Sequence, residues 1–214
     1  MSLGTVDLAG VERWIRGFAG VVAANAQHLT DLDAAIGDAD HGINMNRGMA
    51  AVVAALDEGP QPDLAALGKK VGMTLVSSVG GASGPLYGTF FLRMATALGA
   101  AQSVSAPEFA AALRAGVEGV LQRGRAEAGD KTMFDALAPA LDALDAGLAD
   151  GADLAAALAA ARTAAEHGRD ATAPMVARKG RASYLGQRSA GHIDPGSASA
   201  TMLIACAANA FGGS

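Results

Sequence analysis

"VERWIRGFAGVV", residues 11–22, decides the fold class. Val11, Trp14, Ile15, Phe18, Val21 and Val22 recur at steps of three and four, which places them on one face of an α-helix. The same period returns over about 41–57, 63–79, 86–100, 106–126, 132–148, 151–170 and 196–211. The breaks between these stretches have ordinary helix-ending chemistry. "DEGPQPD" at 57–63 carries two prolines and a glycine, and Ala106-Pro107-Glu108 sets proline in a first helical turn. "DAGLADGAD" at 145–153 reads as a tight connection between two helices. About eight helices of similar length on short linkers favour antiparallel neighbours. The expectation is one all-α domain over residues 1–214, with no internal repeat and no shift of composition along it.

Composition agrees with that pattern. Hydrophobic residues make up 51% of the chain but aromatics only 4%, and alanine, the best helix former, leads the count. The formal charge of −5 argues against general binding to nucleic acid or to an anionic membrane. Cys206 is the single cysteine, so no intramolecular disulfide can form, which suits a reducing compartment. "MSLGTVDLAG" at the N-terminus lacks a basic n-region and an apolar h-region, so no signal peptide is expected. The most apolar stretch, "ASATMLIACAANAFGG" at 198–213, is short of the roughly 20 apolar residues a membrane span needs. A soluble, cytoplasmic protein is expected.

Three connections are not economical linkers. The first lies in "LTDLDAAIGDADHGINMNRG", residues 29–48, which gathers Asp31, Asp33, Asp38 and Asp40 within ten residues. Leu32 and Ile36 followed by Gly37 read as the last turn of a helix breaking into a loop, which can bring Asp33, Asp38 and Asp40 to one point. Carboxylates so gathered repel one another unless a cation or hydrogen-bond donors compensate them, and Mg²⁺ takes such oxygen ligands. An EF-hand does not fit: counted from Asp38, Ile43 stands where the turn glycine belongs and Met49 where the bidentate glutamate belongs. Helix capping by Asp31 or Asp38 accounts for one aspartate but not for three. His41 follows two of the candidate ligands and reads either as a partly buried histidine or as a donor to a phosphate oxygen. Asn44 and Asn46 read as caps of the following helix.

The second connection, "SSVGGASGPLYG" at 77–88, contains "GGASGPLYG" at 80–88, small residues that leave backbone N–H groups free at a helix start and so make an anion site. It is no Walker A, since no Gly-Lys-[Ser/Thr] follows, and "GDKT" at 129–132 has Asp130 inserted. The third, "APMVARKGRASYLGQRSAGHIDPGSAS" at 173–199, holds the run "ARKGRASYLGQR" at 177–188, which sets Arg178, Lys179, Arg181 and Arg188 among glycines in an acidic protein. It reads as a solvated face or as an ordered loop over something negative, where arginine offers planar, multi-donor contacts to phosphate. His28, His167 and His192 are scattered, and no zinc or nucleophile–histidine pattern emerges.

"GDADHGINMNRG" at 37–48, "SSVGGASGPLYGTFF" at 77–91, "GDKTMFDAL" at 129–137 and "ARKGRASYLGQRSAGHIDPGSAS" at 177–199 together resemble the ADP-binding L subunits of bacterial dihydroxyacetone kinases. The resemblance runs from about Leu29 to Met202, with the four motifs in the family's order. It implies an antiparallel barrel of eight helices with a nucleotide, ADP or ATP, at one end. It further implies that Asp33, Asp38 and Asp40 hold two Mg²⁺ ions. Phosphate contacts would come from the run His41-Gly42-Ile43-Asn44 and from Ala82 and Ser83. Gly124, Met133, Arg181 and Asp194-Pro195-Gly196 would line the rest of the pocket, and Thr132 is placed to cap a helix while facing it. Periodicity and spacing could not have found Gly124 or Met133.

The implied partners are a K subunit that holds dihydroxyacetone and a phosphohistidine carrier M subunit that recharges ADP in place. An L-subunit homodimer or a K₂L₂ assembly is a further expectation. Length and motif wording favour this phosphotransferase-system branch over kinases that exchange ATP freely. A Mg-nucleotide-binding regulator is the reading from a different functional class.

Overall fold

The computed structural model describes residues 4–212; Met1 to Leu3, the start of the stretch read for a signal peptide, lie outside the described residues. Nine α-helices occur among those residues: α1 Leu8–Ala24, α2 Ala26–Ile36, α3 His41–Asp57, α4 Leu64–Ser78, α5 Ser83–Leu98, α6 Ala106–Gly124, α7 Phe134–Ala149, α8 Leu154–Ala171 and α9 Pro195–Phe211. A kinked 3₁₀ stretch, Arg181–Ser189, precedes α9. Two three-residue strands, β1 (Thr5–Asp7) and β2 (Ser103–Ser105), pair antiparallel.

Eight of the helices close a ring. Each of α3 to α8 packs on the next, α9 follows α8, and α1 seals the circle between α9 and α3. The closure is antiparallel: Phe211 at the end of α9 meets Gly10 at the start of α1, and Trp14 Nε1 donates to the Leu203 carbonyl at 2.9 Å. The eight long helices counted in the sequence are these. The short α2 is an addition to that count, and it lies across the start of α3. A Cβ on Gly42 would stand 1.9 Å from the Ala26 carbonyl oxygen, so this crossing admits only glycine.

One apolar core fills the ring, and α1 supplies the face read from its sequence: Val11, Trp14, Ile15, Phe18 and Val22 are all buried. Trp14 stacks edge-on to Phe109, and Phe90 edge-on to Phe91, so the few aromatics sit together where each buries most area. Small residues let the helices approach closely elsewhere. Gly72 of α4 and Gly88 of α5 face each other's backbone carbonyls, where a Cβ on either would come within 2.9 Å.

The alternating directions give the molecule two unlike ends. At the first, α1, α4, α6 and α8 begin, and each is capped by a side chain. Asp7 accepts from the Gly10 N–H, Asp63 from Ala66 and Asp153 from Ala156, while Ser105 and Glu108 form a reciprocal capping box. At the opposite end α3, α5 and α7 begin, and none of them has a side-chain cap of this kind. The 3₁₀ stretch and α9, which Asp194 caps, also lie there. No helix among the described residues is long and apolar enough to cross a membrane.

Candidate functional site

A cleft of about 880 Å³ opens at this second end. That volume lies in the range of pockets that bury a whole cofactor-sized ligand. It is walled by the acidic loop after α2, the glycine loop before α5, the turn before α7 and the stretch leading into α9.

The acidic corner forms locally. Ala39 takes a left-handed backbone (φ 60°), a conformation that costs a non-glycine residue roughly 1 kcal/mol and that folds the chain back on α2. Asp33 stays buried at the end of α2 and accepts the backbone N–H groups of Asp40 (2.8 Å) and His41 (3.1 Å), which anchors the start of α3. Its other oxygen lies against Gly37, where a Cβ would be 2.0 Å away. Asp33, Asp38 and Asp40 each present a carboxylate oxygen, all within 4.8 Å of one another. A set of hard oxygen donors at this spacing suits Mg²⁺. Asp31 stays out of the cluster, bonded instead to Gln27.

The glycine loop supplies the opposite charge preference. Gly81 has a positive φ of 64° and turns the chain so that α5 starts at Ser83, with only Ala82 at the cap position. Alanine has no acceptor to offer the first-turn N–H groups, so the positive end of the α5 dipole faces the cleft.

His41 connects three elements beneath the cleft. Its Nδ1 lies 3.0 Å from Ser83 Oγ and its Nε2 2.9 Å from Ser199 Oγ, and Ser199 in turn meets the Tyr87 hydroxyl at 2.6 Å. Burial pushes the His41 pKa down, against the pull of Asp33 and Asp40, which favours the neutral ring. Both ring nitrogens are therefore spoken for. The ring is buried as one of the two sequence readings has it, and it also lines the cleft beside Ser83.

Gly42, Ile43 and Asn44 do not line the cleft. Along α3 each residue turns about 100°, so Ile43 stands opposite His41, while Asn44 returns to the His41 side nearly one turn further into the helix. Gly42 serves the α2 crossing, Ile43 points to solvent, and Asn44 lies buried under Gly80 with its Oδ1 accepting from Arg47. Asn44 and Asn46 lie inside α3, so neither caps it.

The remaining residues named from the sequence reach the cleft: Gly124 at the end of α6, Met133 before α7, Arg181, and Asp194-Pro195-Gly196 at the start of α9. Arg181 Nε contacts Asp38 Oδ2 at 2.8 Å, so the basic loop reaches across to the acidic corner. Arg178 turns the other way, to the Gly129 carbonyl and the Asp130 carboxylate. Asp194 caps α9 at the Ser197 N–H, and burial pushes its pKa up to about 7, with Asp135 adding to the rise and Lys131 opposing it. Ile36, Leu86, Val120 and Phe134 give the cleft an apolar wall.

Sequence reasoning missed Tyr87, Ser199 and Lys131. Ser199 is one of three hydroxyls, with Ser197 and Thr201, at the start of a mostly apolar helix, and Lys131, in a turn beside Gly129, is only 1% exposed.

Residues 35–209 match the model of the family described as the DAK2 domain. The chain is 46% identical over 194 residues to the ADP-binding subunit DhaL of a PEP-dependent dihydroxyacetone kinase from Escherichia coli, covering 91% of this chain and 92% of that one. It is 41% identical to the ADP-binding subunit DhaL of a PTS-dependent dihydroxyacetone kinase from Lactococcus lactis, covering 89% and 91%. Among solved structures, the dihydroxyacetone kinase from C. freundii in complex with AMP-PNP and Mg²⁺ superposes with a TM-score of 0.73 at 28% identity. That match covers 96% of this chain but 34% of the C. freundii kinase, so the chain corresponds to about a third of that longer protein.

Proposed function

This chain belongs to the DAK2-domain family, and from that premise we propose that it is the ADP-binding, phosphoryl-presenting subunit of a dihydroxyacetone kinase, acting as one domain over residues 1–214. One observation carries the reading: three clustered carboxylates and an uncapped helix N-terminus face each other across a single cleft. A cation site opposite an anion site is what a metal-bound nucleotide diphosphate requires.

Asp33, Asp38 and Asp40 would hold Mg²⁺, two ions on the expectation drawn from the resemblance, which when bound neutralises phosphate charge. Ser83 and the first-turn N–H groups of α5 donate to phosphate oxygens, with Ser83 fixed by His41 behind it. Lys179 and Arg181 stand over the opening, and the apolar wall receives the base. The protein's work is then positioning and charge neutralisation rather than covalent chemistry. The phosphoryl group passes to dihydroxyacetone on a K subunit, and a phosphohistidine carrier M subunit restores the donor without nucleotide exchange.

A second reading has its own support, since the C. freundii kinase is solved with the ATP analogue AMP-PNP: the chain would then exchange ATP freely. One experiment separates the two. Protein loaded with ATP and freed of excess nucleotide is mixed with a K subunit and dihydroxyacetone. The coenzyme reading expects about one product per site, then arrest with ADP bound, restarted by a phosphohistidine carrier and not by fresh ATP. Sustained turnover on ATP alone selects the exchanging kinase. Before either, Mg-ADP at about 100 times its dissociation constant stabilises the fold by roughly 2.7 kcal/mol. Asp38→Ala and Asp40→Ala are expected to lose that melting shift while keeping wild-type helix content. Equal shifts in all three proteins refute the metal assignment.

A further inference from the structure

Lys131 is fully buried in the turn Gly129-Asp130-Lys131-Thr132, and all its hydrogen-bond partners are main-chain carbonyls. Its three Nζ–H donors are shared among the carbonyls of Thr172 (2.9 Å), Met175 (3.1 Å), Ser189 (2.7 Å) and His192 (2.5 Å), with Ala173 at 3.4 Å. A buried ammonium is costly unless hydrogen bonds replace its water, and here five carbonyl dipoles surround it. Coordination of this kind, all neutral oxygens and no carboxylate, is what a monovalent cation takes.

The carbonyls come from both sides of one segment. Residues 172, 173 and 175 precede it and residues 189 and 192 follow it, so the ammonium draws together the base of the loop 176–188. That loop carries Lys179, Arg181 and Tyr184 to the cleft. The turn that delivers Lys131 is itself held. Lys131 has a left-handed backbone (φ 63°), and Asp135 accepts from the N–H groups of Gly129 and Thr132. Beside the cage, the Arg178 N–H donates to the Asp130 carbonyl at 3.0 Å and the Gly191 N–H to Ala173 at 2.7 Å.

We propose that Lys131 is a positioning residue: its ammonium acts as a built-in monovalent cation that closes the base of the 176–188 loop and so sets Lys179 and Arg181 over the cleft. Only the nucleotide-release readout of its test rests on the function proposed above.

The test removes the ammonium and offers it back. In Lys131→Ala, release of Mg-ADP is expected to quicken roughly tenfold or more, because several charge-assisted hydrogen bonds are lost. Ammonium or methylammonium chloride should slow release again, since each fits the vacated cage and carries N–H donors. Tetramethylammonium chloride at equal ionic strength should not. Hydrogen exchange reads the same event without nucleotide: the amides of Ala177, Arg178 and Gly191 should lose protection in the variant while those of α1 and α5 keep it, and ammonium should restore them. If the variant unfolds outright, its refolding on ammonium but not on tetramethylammonium supports the cage equally. Release and exchange like wild type, or a defect that no small cation relieves, overturns the proposal. Wild-type protein that binds no nucleotide would refute the proposed function instead, with the exchange measurement still deciding the role of Lys131.

Discussion

Replacing Asp194 with asparagine tests the electrostatics of the cleft floor. The Asp194 side chain accepts from the Ser197 N–H at 2.6 Å and its own N–H donates to Thr172 Oγ1 at 3.0 Å. Asparagine keeps an acceptor oxygen for the Ser197 cap, so the variant changes charge with little change of shape. In the fold the carboxyl pKa rises from 3.8 to about 7, first because of burial and then because of Asp135 and Asp33. A raised pKa means that the folded state binds the proton more tightly than the unfolded chain. The resulting stability is fully present below pH 3.8 and is lost as pH climbs toward 7, where the buried group must ionise. At ~1.4 kcal/mol per pKa unit the loss is bounded at roughly 4 kcal/mol, and water entering the open cleft lowers that figure. The amide of the variant carries no such penalty. Urea unfolding in chelator, at a series of pH values from 4 to 8.5, should show the two proteins close at the acid end. The Asp194→Asn variant should gain steadily, by one to several kcal/mol on the order of that bound, up to about pH 7 and level off above it. A difference that stays flat across the series, or that favours wild type at pH 8, refutes the reasoning.

Gly42→Ala places a Cβ on the Ala26 carbonyl and should cost about 1–3 kcal/mol or more by forcing α2 off α3; urea unfolding within 0.5 kcal/mol of wild type would contradict the crossing. That displacement also moves Asp33, so the variant should need more Mg²⁺ for the same thermal shift. Arg181→Ala should shorten ADP retention in a dialysis assay more than Arg188→Ala does, since Arg181 lines the cleft and Arg188 does not. The Arg181–Asp38 pair is largely exposed and worth only ~0–1 kcal/mol, so the melting temperature without nucleotide should barely move. Equal retention by both variants would assign the basic loop to partner docking.

Helix positions were legible in the sequence because they depend on local period and caps. Trp14 and Phe18 fall on the buried face that their spacing demands, and α9 starts at Pro195 within a residue of expectation. The three aspartates were legible too, since the turn that gathers them lies within eight residues. The parts that stayed hidden depend on contacts across the ring. Tyr87 and Ser199 are 112 residues apart and meet only because α5 and α9 close on the same core. Lys131 meets carbonyls 41 to 61 residues away, and a lysine in a glycine-flanked turn gives no local sign of burial. The place of Asn44 depends on where α3 begins: with His41 first, Asn44 lies nearly one turn into the helix, against Gly80 and behind the cleft wall.

The uneven capping of the two ends sets a stability–activity trade-off that is spatially sorted. The helices that begin at Asp7, Asp63, Ser105 and Asp153 are already capped, and their linkers can be shortened at no expense to the cleft, since all of them lie away from it. An added cap at the other end works against function. A serine or aspartate at position 82, where Pro85 leaves the Gly84 N–H as the one a capping side chain can take, would gain at most the low end of the roughly 0.5–2 kcal/mol that a helix cap is worth. It would do so by occupying an N–H group that an incoming anion needs. Thermostabilised versions of this chain are therefore expected to accumulate their changes at the far end and to leave Ala82 as it is.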